Sequence, residues 1–284
     1  MGDQSHGLPT LVVVGASGRM GQSVSRLALE DSAWRVVGAV GREHVGRDVG
    51  ELVGSGYLGV PIVTALENVN CSTVSAVIDF STPGLVPEVA RWVVGRRAAY
   101  VTGTTGLDTQ GVEALNAAAR SVPVLWEPNM SVGIHVLSEV VRLAVGMLGK
   151  DADIEIVEAH HRYKVDSPSG TAIRLADVVA AERKRVQSEE VAFAYGRHGK
   201  PGARSRTEVG VHAIRGGDVI GDHTVHLLMD GERLELTHRA SHRDLFAKGA
   251  LKAASRLVGM APGRYSLADI LSSPNSAEGR VKDA

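Results

Sequence analysis

The chain has 284 residues, and single domains commonly run to about 100–200 residues, so two domains are expected. A formal net charge of −1 with 22 % charged residues offers no basic field for nucleic acid or an anionic membrane, and no stretch is expected to reach the roughly 18 apolar residues of a membrane span. The single cysteine, Cys71, excludes an internal disulfide and a cysteine zinc site, and it fits a reducing, cytoplasmic location.

The first half of the chain alternates short apolar runs with amphipathic segments. Strands are predicted at residues 11–14, 34–40, 74–80, 99–102 and 122–126, and helices at residues 20–29, 85–94 and about 108–120. Continuous apolar strands separated by helices are typical of a parallel sheet buried on both faces. With right-handed crossovers, this pattern predicts an N-terminal Rossmann-like, doubly wound α/β sheet.

The second half begins with a long apolar helix at residues 131–148, a strand at 153–159 and a helix at 171–187. Residues 207–214, 219–229 and 232–240 then alternate with period two and are joined by Gly216-Gly217 and Asp230-Gly231, which predicts an antiparallel meander with one exposed face. A final helix is predicted at residues 245–257.

These elements predict two domains. Residues 1–130 and 245–284 are expected to form a dinucleotide-binding domain. Residues 131–244 are expected to form a second α+β domain, with a mixed or antiparallel open sheet, that binds substrate and supports oligomerisation.

A glycine-rich turn follows the first strand. Gly15, Gly18 and Gly21 have the spacing GxxGxxG between a predicted strand and a predicted helix. In that context the glycines permit a tight turn and close approach of a pyrophosphate, which the helix N-terminus then binds. A glycine pattern alone is weak, because any tight turn can use it, so the strand-to-helix context carries the prediction.

The end of the second strand bears on the choice of nicotinamide cofactor. An acidic side chain there is typical of NAD binding, and a cation of NADP binding. Here Gly41 occupies the expected acidic position and Arg42 follows it, with Arg47 nearby. This favours NADPH over NADH, because Arg42 can pair with a 2′-phosphate. The alternative is that Arg42 is a solvated loop charge and that Glu43 serves the ribose of NADH.

The densest set of titratable groups lies between a strand and a helix. Residues 158–172 read EAHHRYKVDSPSGTA, in which Ser169-Gly170-Thr171 begins the helix and offers an anion site for a carboxylate. Lys164 adds a positive charge, and His160 or His161 could exchange a proton near neutral pH.

The histidines also have interpretations that involve no catalysis. Neighbouring strand residues point to opposite faces, so His160 and His161 cannot form a matched pair on one ligand, and either of them could be structural. No third ligand stands at metal spacing, so no metal is expected. The remaining strand histidines are expected to be sheet-surface residues: His212, His223, His226, His238 and His242.

Several segments carry a family resemblance in the same order: VVGASGRMG at residues 13–21, VIDFS at 77–81, TGTTG at 102–106, PNMSVG at 128–133, the segment 158–172, AIRGGDVIGDHTV at 213–225 and LELTHRASHRDLFAKGA at 234–250. On these residues the chain resembles the 4-hydroxy-tetrahydrodipicolinate reductases, also called dihydrodipicolinate reductases, over nearly its whole length. The resemblance implies NAD(P)H-dependent reduction of 4-hydroxy-tetrahydrodipicolinate to tetrahydrodipicolinate in diaminopimelate and lysine biosynthesis. It also implies a homotetramer formed through the second-domain sheet.

The resemblance also implies roles for single residues. His160 would be the acid/base residue and Lys164 the proton donor. The substrate carboxylates would be held by His161, Ser169, Gly170 and Thr171. The cofactor would contact Gly15, Ala16, Ser17, Gly18, Arg19, Met20, Arg42, Gly103, Thr104, Thr105, Glu127, Pro128, Asn129 and Met130.

The chain departs from the family pattern at Gly41, where an acidic residue is usual, and at Glu127 and Met130, where alanine and phenylalanine are common. Two other functions remain open at this point: a different two-domain Rossmann oxidoreductase, and a non-catalytic nucleotide sensor. The segment 158–172 argues against the first, and retention of His160 with Lys164 argues against the second.

Overall fold

The computed structural model describes residues 7–188 and 190–272, and the chain divides into two compact units. The first unit runs to Met130 and resumes at Asp244, and the second is Ser131–Arg243. The outermost parts of the predicted first domain, residues 1–6 and 273–284, lie outside the described residues.

The first unit is built on a seven-stranded parallel sheet with the order β12-β6-β5-β4-β1-β2-β3. Its strands are β1 (Thr10–Val14), β2 (Arg35–Val40), β3 (Ile62–Val63), β4 (Ala76–Asp79), β5 (Ala99–Thr102), β6 (Pro123–Trp126) and β12 (Gly263–Tyr265). Its helices are α1 (Arg19–Glu30), α2 (Val49–Leu52), α3 (Val86–Arg96), α4 (Thr109–Ala118), α7 (Asp244–Leu257) and α8 (Leu267–Ser272). The prediction of a doubly wound α/β sheet is confirmed.

Both faces of this sheet are buried, which explains why its strands read as unbroken apolar runs. Along β1, Leu11 and Val13 face a cluster that includes α1 and α7, while Val12 and Val14 face a second cluster that includes α3 and α4. The alternation along one strand therefore supplies both cores. The carboxyl ends of β1, β4 and β5 lie at one sheet edge, where parallel sheets bind ligands.

The second unit is built on a five-stranded mixed sheet with the order β11-β10-β7-β9-β8. Its elements are α5 (Val132–Leu148), β7 (Asp153–His160), α6 (Gly170–Gln187), β8 (Ala192–Ala194), β9 (Glu208–Arg215), β10 (Asp222–Met229) and β11 (Glu232–Arg239). Helices α5 and α6 pack on one face through a core that includes Val141, Ile156 and Leu175. The predicted open mixed sheet is confirmed.

The predicted three-strand meander is wrong in one connection. Strands β10 and β11 do form a hairpin at Asp230-Gly231, but β7 lies between β9 and β10 and pairs with β9 in parallel. The Gly216-Gly217 segment therefore crosses the end of β7 instead of making a hairpin, and Gly216 N donates to the carbonyl of His160. Local turn chemistry predicted a tight reversal, whereas strand pairing over a long sequence separation decided the topology.

Helix α5 and the 3₁₀ turn that follows it contradict the expectation that no stretch reaches the roughly 18 apolar residues of a membrane span. Residues Val132–Asp151 reach a mean hydropathy of 1.5, so by length and composition alone they could cross a bilayer. Their two mid-helix charges, Glu139 and Arg142, pair with each other at 3.0 Å. One such helix is weak evidence of a membrane protein, and its inner face packs in the core of the second unit through Ile134, Val141 and Val145.

Candidate active site

The glycine-rich turn of the first unit has the geometry that a pyrophosphate requires. Gly15 has a φ of +79°, and a Cβ there would lie 2.5 Å from the carbonyl oxygen of Phe80, so only glycine fits. Gly18 is the N-cap of α1 and provides no capping side chain, and the first turn of this 12-residue helix contains no acidic residue. The helix N-terminus therefore has free donors and no competing carboxylate for an anion.

A buried hydroxyl at the carboxyl edge of the sheet lacks a partner. Among the described residues, Thr104 Oγ1 is buried without a hydrogen bond. Next to it Gly103 lies against the Phe80 ring, which a Cβ on Gly103 would overlap. Unsatisfied buried hydroxyls cost free energy unless a ligand completes them. This part of the structure fits the amide and ring of a nicotinamide, which would give the Thr104 hydroxyl a partner.

A buried carboxylate stabilises the same edge. Tyr100 Oη donates to Asp79 Oδ2 at 2.7 Å, and Ser81 N donates to Asp79 Oδ1 at 2.8 Å. Burial raises the pKa of the Asp79 carboxyl, and the hydrogen bonds from Ser81 and Tyr100 oppose the rise. The carbonyl of Asp79 also accepts from Gly103 N at 2.9 Å, so this residue ties the end of β4 to the loop after β5.

The loop after β2 is exposed and basic, with Arg42 and Arg47 both on the surface and Gly41 buried beneath them. A Cβ on Gly41 would lie 2.6 Å from Ser17 Oγ, so a larger residue requires that the Ser17 side chain rotate. The structure thus has no carboxylate at position 41, which is next to Ser17 and followed by the exposed Arg42.

The remaining predicted cofactor residues differ in accessibility. Thr105 and Pro128 are exposed and Asn129 is half-buried, whereas Glu127 is buried and Glu127 N donates to the carbonyl of Thr102 at 3.1 Å. The side chain of Met130 belongs to the core cluster that includes α7. Side-chain contact with a cofactor is thus open to Thr105, Pro128 and Asn129, while Met130 serves packing.

In the second unit, His160 ends β7 and is held by a buried glutamate. His160 Nδ1 is hydrogen-bonded to Glu158 Oε2 at 2.6 Å, and Glu158 has no exposed side-chain surface. Burial alone would raise the pKa of Glu158, but hydrogen bonds from Arg215, His160 and the Ser169 backbone hold it below its ordinary value. Burial lowers the pKa of His160, against the attraction of Glu158. His160 is therefore neutral near pH 7, with Nε2 able to accept a proton.

Lys164 follows on the same segment and is 19 % exposed. Its Nζ donates to both carboxylate oxygens of Asp166, at 2.8 and 2.9 Å. The charge of Lys164 lies close enough to lower the pKa of His160. The structure thus brings the two predicted proton-handling residues together.

The predicted substrate residues lie at the start of α6. Ser169 is buried, its Oγ caps the helix by accepting from Ala172 N at 3.2 Å, and its backbone N donates to Glu158 Oε1. Gly170 is exposed and Thr171 is half-buried. His161 is half-buried with its ring 6.3 Å from that of Tyr163, and its amide donates to the carbonyl of Val219. A substrate carboxylate can therefore reach His161, Gly170 and Thr171.

Sequence reasoning placed His223 on the sheet surface, and this was wrong. His223 is 4 % exposed, its Nε2 lies 3.1 Å from Ser169 Oγ, and its ring lies edge-on to that of His160 at 5.2 Å. Burial lowers the pKa of His223 to about 4. The signal was available, because period-two alternation along β10 puts His223 on the same face as the buried Val225 and Leu227.

Two further residues at this site were also missed. Glu158 and Arg215 were both inside quoted motifs, but neither was given a role. Their pairing depends on the parallel register of β7 with β9, which no local pattern predicts. Within the described ranges, no group of three His, Cys, Asp or Glu side chains is arranged to hold a metal ion.

Family models match both halves of the chain. Residues 10–130 match the model described as dihydrodipicolinate reductase, N-terminus, and residues 133–271 match that described as dihydrodipicolinate reductase, C-terminus. The chain belongs to the 4-hydroxy-tetrahydrodipicolinate reductase family. The family prediction made from the motifs is therefore confirmed, and so is the enzyme class.

Curated relatives align with this reductase over more than nine-tenths of its length. It is 44 % identical to the 4-hydroxy-tetrahydrodipicolinate reductase of Myxococcus xanthus over 92 % of this chain and 96 % of that protein. It is 43 % identical to that of Ruegeria pomeroyi, over 93 % of this chain and 98 % of that protein. The structure of a dipicolinate-bound dihydrodipicolinate reductase from Paenisporosarcina has the same fold, with a TM-score of 0.72 at 21 % identity, covering 91 % of this chain and 97 % of that one.

Proposed function

We propose that this reductase uses NADPH, in preference to NADH, to reduce 4-hydroxy-tetrahydrodipicolinate to tetrahydrodipicolinate in the diaminopimelate route to lysine. The observation that best supports the proposed reduction is the arrangement at the end of β7. There a neutral, buried His160 is hydrogen-bonded to Glu158 and lies near Lys164. A sensor of nucleotides alone has no need of these groups, because none of them lies in the nucleotide-binding unit.

The substrate is a small dicarboxylate, and the second unit has groups to hold and protonate it. Gly170 and Thr171 lie at the start of the 18-residue helix α6, where the positive end of the helix dipole binds one carboxylate of the substrate. His161 binds the other carboxylate. Lys164 is the proton donor, since its ammonium group is held on Asp166 beside His160. After Lys164 has given up its proton, His160 Nε2 takes a proton from solvent and passes it to the neutral amine, which returns Lys164 to its charged form. When bound, the cofactor supplies the hydride.

The preference for NADPH rests on the loop after β2. Gly41 leaves no carboxylate to repel a 2′-phosphate, and Arg42 offers a planar guanidinium to bind it. Replacing Arg42 with alanine removes one charge-assisted contact, so NADPH affinity should fall about 10- to 100-fold. NADH affinity should stay unchanged, and fluorescence titration measures both. Equal NADPH affinity in both proteins would refute the role of Arg42.

The assembled enzyme is a homotetramer in this proposal, formed through the outer face of the five-stranded sheet. The inner face is covered by α5 and α6, whereas the outer face exposes apolar groups such as Ile214. Exposed apolar surface of this kind is typical of an interface. Light scattering on the purified protein measures the mass directly, and a monomer at micromolar concentration would refute the tetramer. A biosynthetic enzyme that draws on NADPH is expected in the cytoplasm.

The activity is tested by oxidation of NADPH at 340 nm, with substrate generated in place by the synthase of the preceding step. We expect synthase-dependent oxidation of NADPH and accumulation of tetrahydrodipicolinate. Synthase without this reductase is the control for spontaneous loss of absorbance. No turnover with either cofactor would refute the proposed function.

A further inference from the structure

Glu158 is the most completely hydrogen-bonded ionisable group near His160. It accepts from His160 Nδ1 at 2.6 Å and from the Ser169 backbone at 3.0 Å. Arg215 binds it with two parallel hydrogen bonds, each 2.7 Å, from Nη1 to Oε2 and from Nη2 to Oε1. A buried carboxylate with four hydrogen bonds is fixed in position and stays ionised.

We propose that Glu158 and Arg215 are positioning residues that fix the His160 imidazole in one tautomer, with the proton on Nδ1 and the lone pair on Nε2. This inference rests on the proposed function, because it assigns how His160 is prepared for proton exchange. An ionised carboxylate can only accept hydrogen bonds, so Nδ1 must carry the proton that joins it to Glu158. A carboxylate that orients a histidine in this way is a recurring device in proton-transfer sites.

The geometry around Nε2 supports the assignment. In the described part of the chain Nε2 has no hydrogen-bond partner, and it points at Gly221, where a Cβ would lie only 2.9 Å away. A Cβ at position 221 would overlap Nε2, so glycine there permits the ring orientation in which Nδ1 faces Glu158. A glutamate that served only to hold strands together would not need the short contact with Nδ1 of His160.

Arg215 also connects His160 to the segment that carries Lys164. Besides binding Glu158, Nη2 of Arg215 donates to the carbonyl of Asp166 at 2.7 Å, and the Asp166 carboxylate holds Lys164 Nζ. One guanidinium thus supports both proton-handling residues. The planar fork of arginine can meet these acceptors at once, which a lysine cannot do.

The ionisable neighbours of His160 come from four elements. Glu158 lies on β7, Arg215 on β9 and His223 on β10, and Lys164 lies on the segment after β7. Glu158 raises the pKa of His160, while burial, Lys164 and Arg215 lower it. His223 is uncharged near neutral pH, because its own pKa is about 4. Removing the charge of Glu158 should therefore lower the pKa of His160 further.

The test replaces Glu158 with glutamine. The amide can donate to Nδ1, so His160 should move to the tautomer protonated on Nε2, which ¹⁵N NMR of histidine-labelled protein detects without any activity measurement. With the wrong tautomer, kcat should fall on the order of 10²–10⁴-fold, with NADPH affinity unchanged. The acidic limb of the kcat/KM profile should move to lower pH.

The matched control is Glu182→Gln, since Glu182 is a buried glutamate on α6 that is also bound twice by an arginine, Arg185, but contacts no histidine. It should leave the His160 tautomer and the pH profile unchanged. If Glu158→Gln keeps the wild-type tautomer and pH profile, the inference is wrong even though the enzyme is active. Failure of the wild type to turn over would refute the proposed function instead, and the NMR result would still decide the tautomer.

A second variant keeps the test decisive if Glu158→Gln does not fold. Arg215→Lys retains the positive charge near Glu158 but cannot bind both oxygens and the Asp166 carbonyl. We expect the Nδ1-protonated tautomer to be retained and kcat to fall about 10-fold, with little change in KM. A wild-type kcat in this variant would overturn the role of Arg215.

Discussion

The buried histidine on β10 makes the stability of the protein depend on pH. The pKa of His223 is lowered from 6.5 to about 4, chiefly by burial. Repulsion from His160, Lys164 and His238 adds to the shift, and Glu158 opposes it. In the unfolded chain the imidazole binds a proton near its ordinary pKa, so the unfolded state binds more protons between these two values. Stability therefore rises with pH in that window and is lost as pH falls through it.

The size of this effect follows from the shift. One pKa unit corresponds to about 1.4 kcal/mol, so the change from 6.5 to about 4 amounts to about 3 kcal/mol once the pH is below both values. Between about pH 7.5 and about pH 5 the expected loss from this one group is about 2 kcal/mol. Replacing His223 with asparagine removes the titration but retains a hydrogen-bonding group near Ser169.

Urea unfolding at these two pH values measures the effect. The difference in unfolding free energy between the wild type and His223→Asn should change by about 2 kcal/mol, in favour of the variant at the lower pH. His226→Asn, on the opposite face of the same strand, controls for loss of a histidine as such. The proposed contribution of His223 to the pH dependence is refuted if the wild type and His223→Asn lose stability in parallel. It is also refuted if His226→Asn reproduces the effect.

Two further predictions concern the cofactor-binding unit. Gly103→Ala places a Cβ into the Phe80 ring, so the displaced loop should weaken NADPH binding about 10-fold or more by fluorescence titration. Gly95→Ala, which has open space at its Cβ, should bind NADPH normally, and equal affinity in both variants would count against the role of this loop. Tyr100→Phe removes a hydrogen bond to the buried Asp79 and should lower the unfolding free energy by about 1.5–3 kcal/mol in urea titrations. Tyr57→Phe, which removes an exposed hydroxyl, is its control. An equally small loss of unfolding free energy in both variants would show that Asp79 does not need the Tyr100 donor.

Much of the first unit could be predicted from the sequence because its determinants are local. The strand at residues 99–102 was predicted with the bounds that the structure gives, since an apolar run this short favours a strand buried on both faces over a helix. Asp108 caps α4 through Gly111 N, as its position before an amphipathic segment indicated. The glycine turn was also local, and the structure gives Gly15 the positive φ that the turn requires.

The parts that sequence reasoning missed depend on pairing between distant segments. The insertion of β7 between β9 and β10 brings Arg215 to Glu158 across 57 positions of sequence, and no turn signal predicts this. The same insertion surrounds His223 with Ser169 and His160. Sequence reasoning recognised His160 and Lys164 by their motif, but it could not see the carboxylate and guanidinium that hold them.

The most direct test of the account is a comparison of turnover and cofactor binding in the wild type and Lys164→Ala. NADPH oxidation is followed with substrate supplied by the preceding synthase, and NADPH affinity is measured separately by fluorescence. We predict turnover by the wild type, a loss on the order of 10²–10⁴-fold in the variant, and equal NADPH affinity in both. A variant that reduces substrate at the wild-type rate would contradict the account.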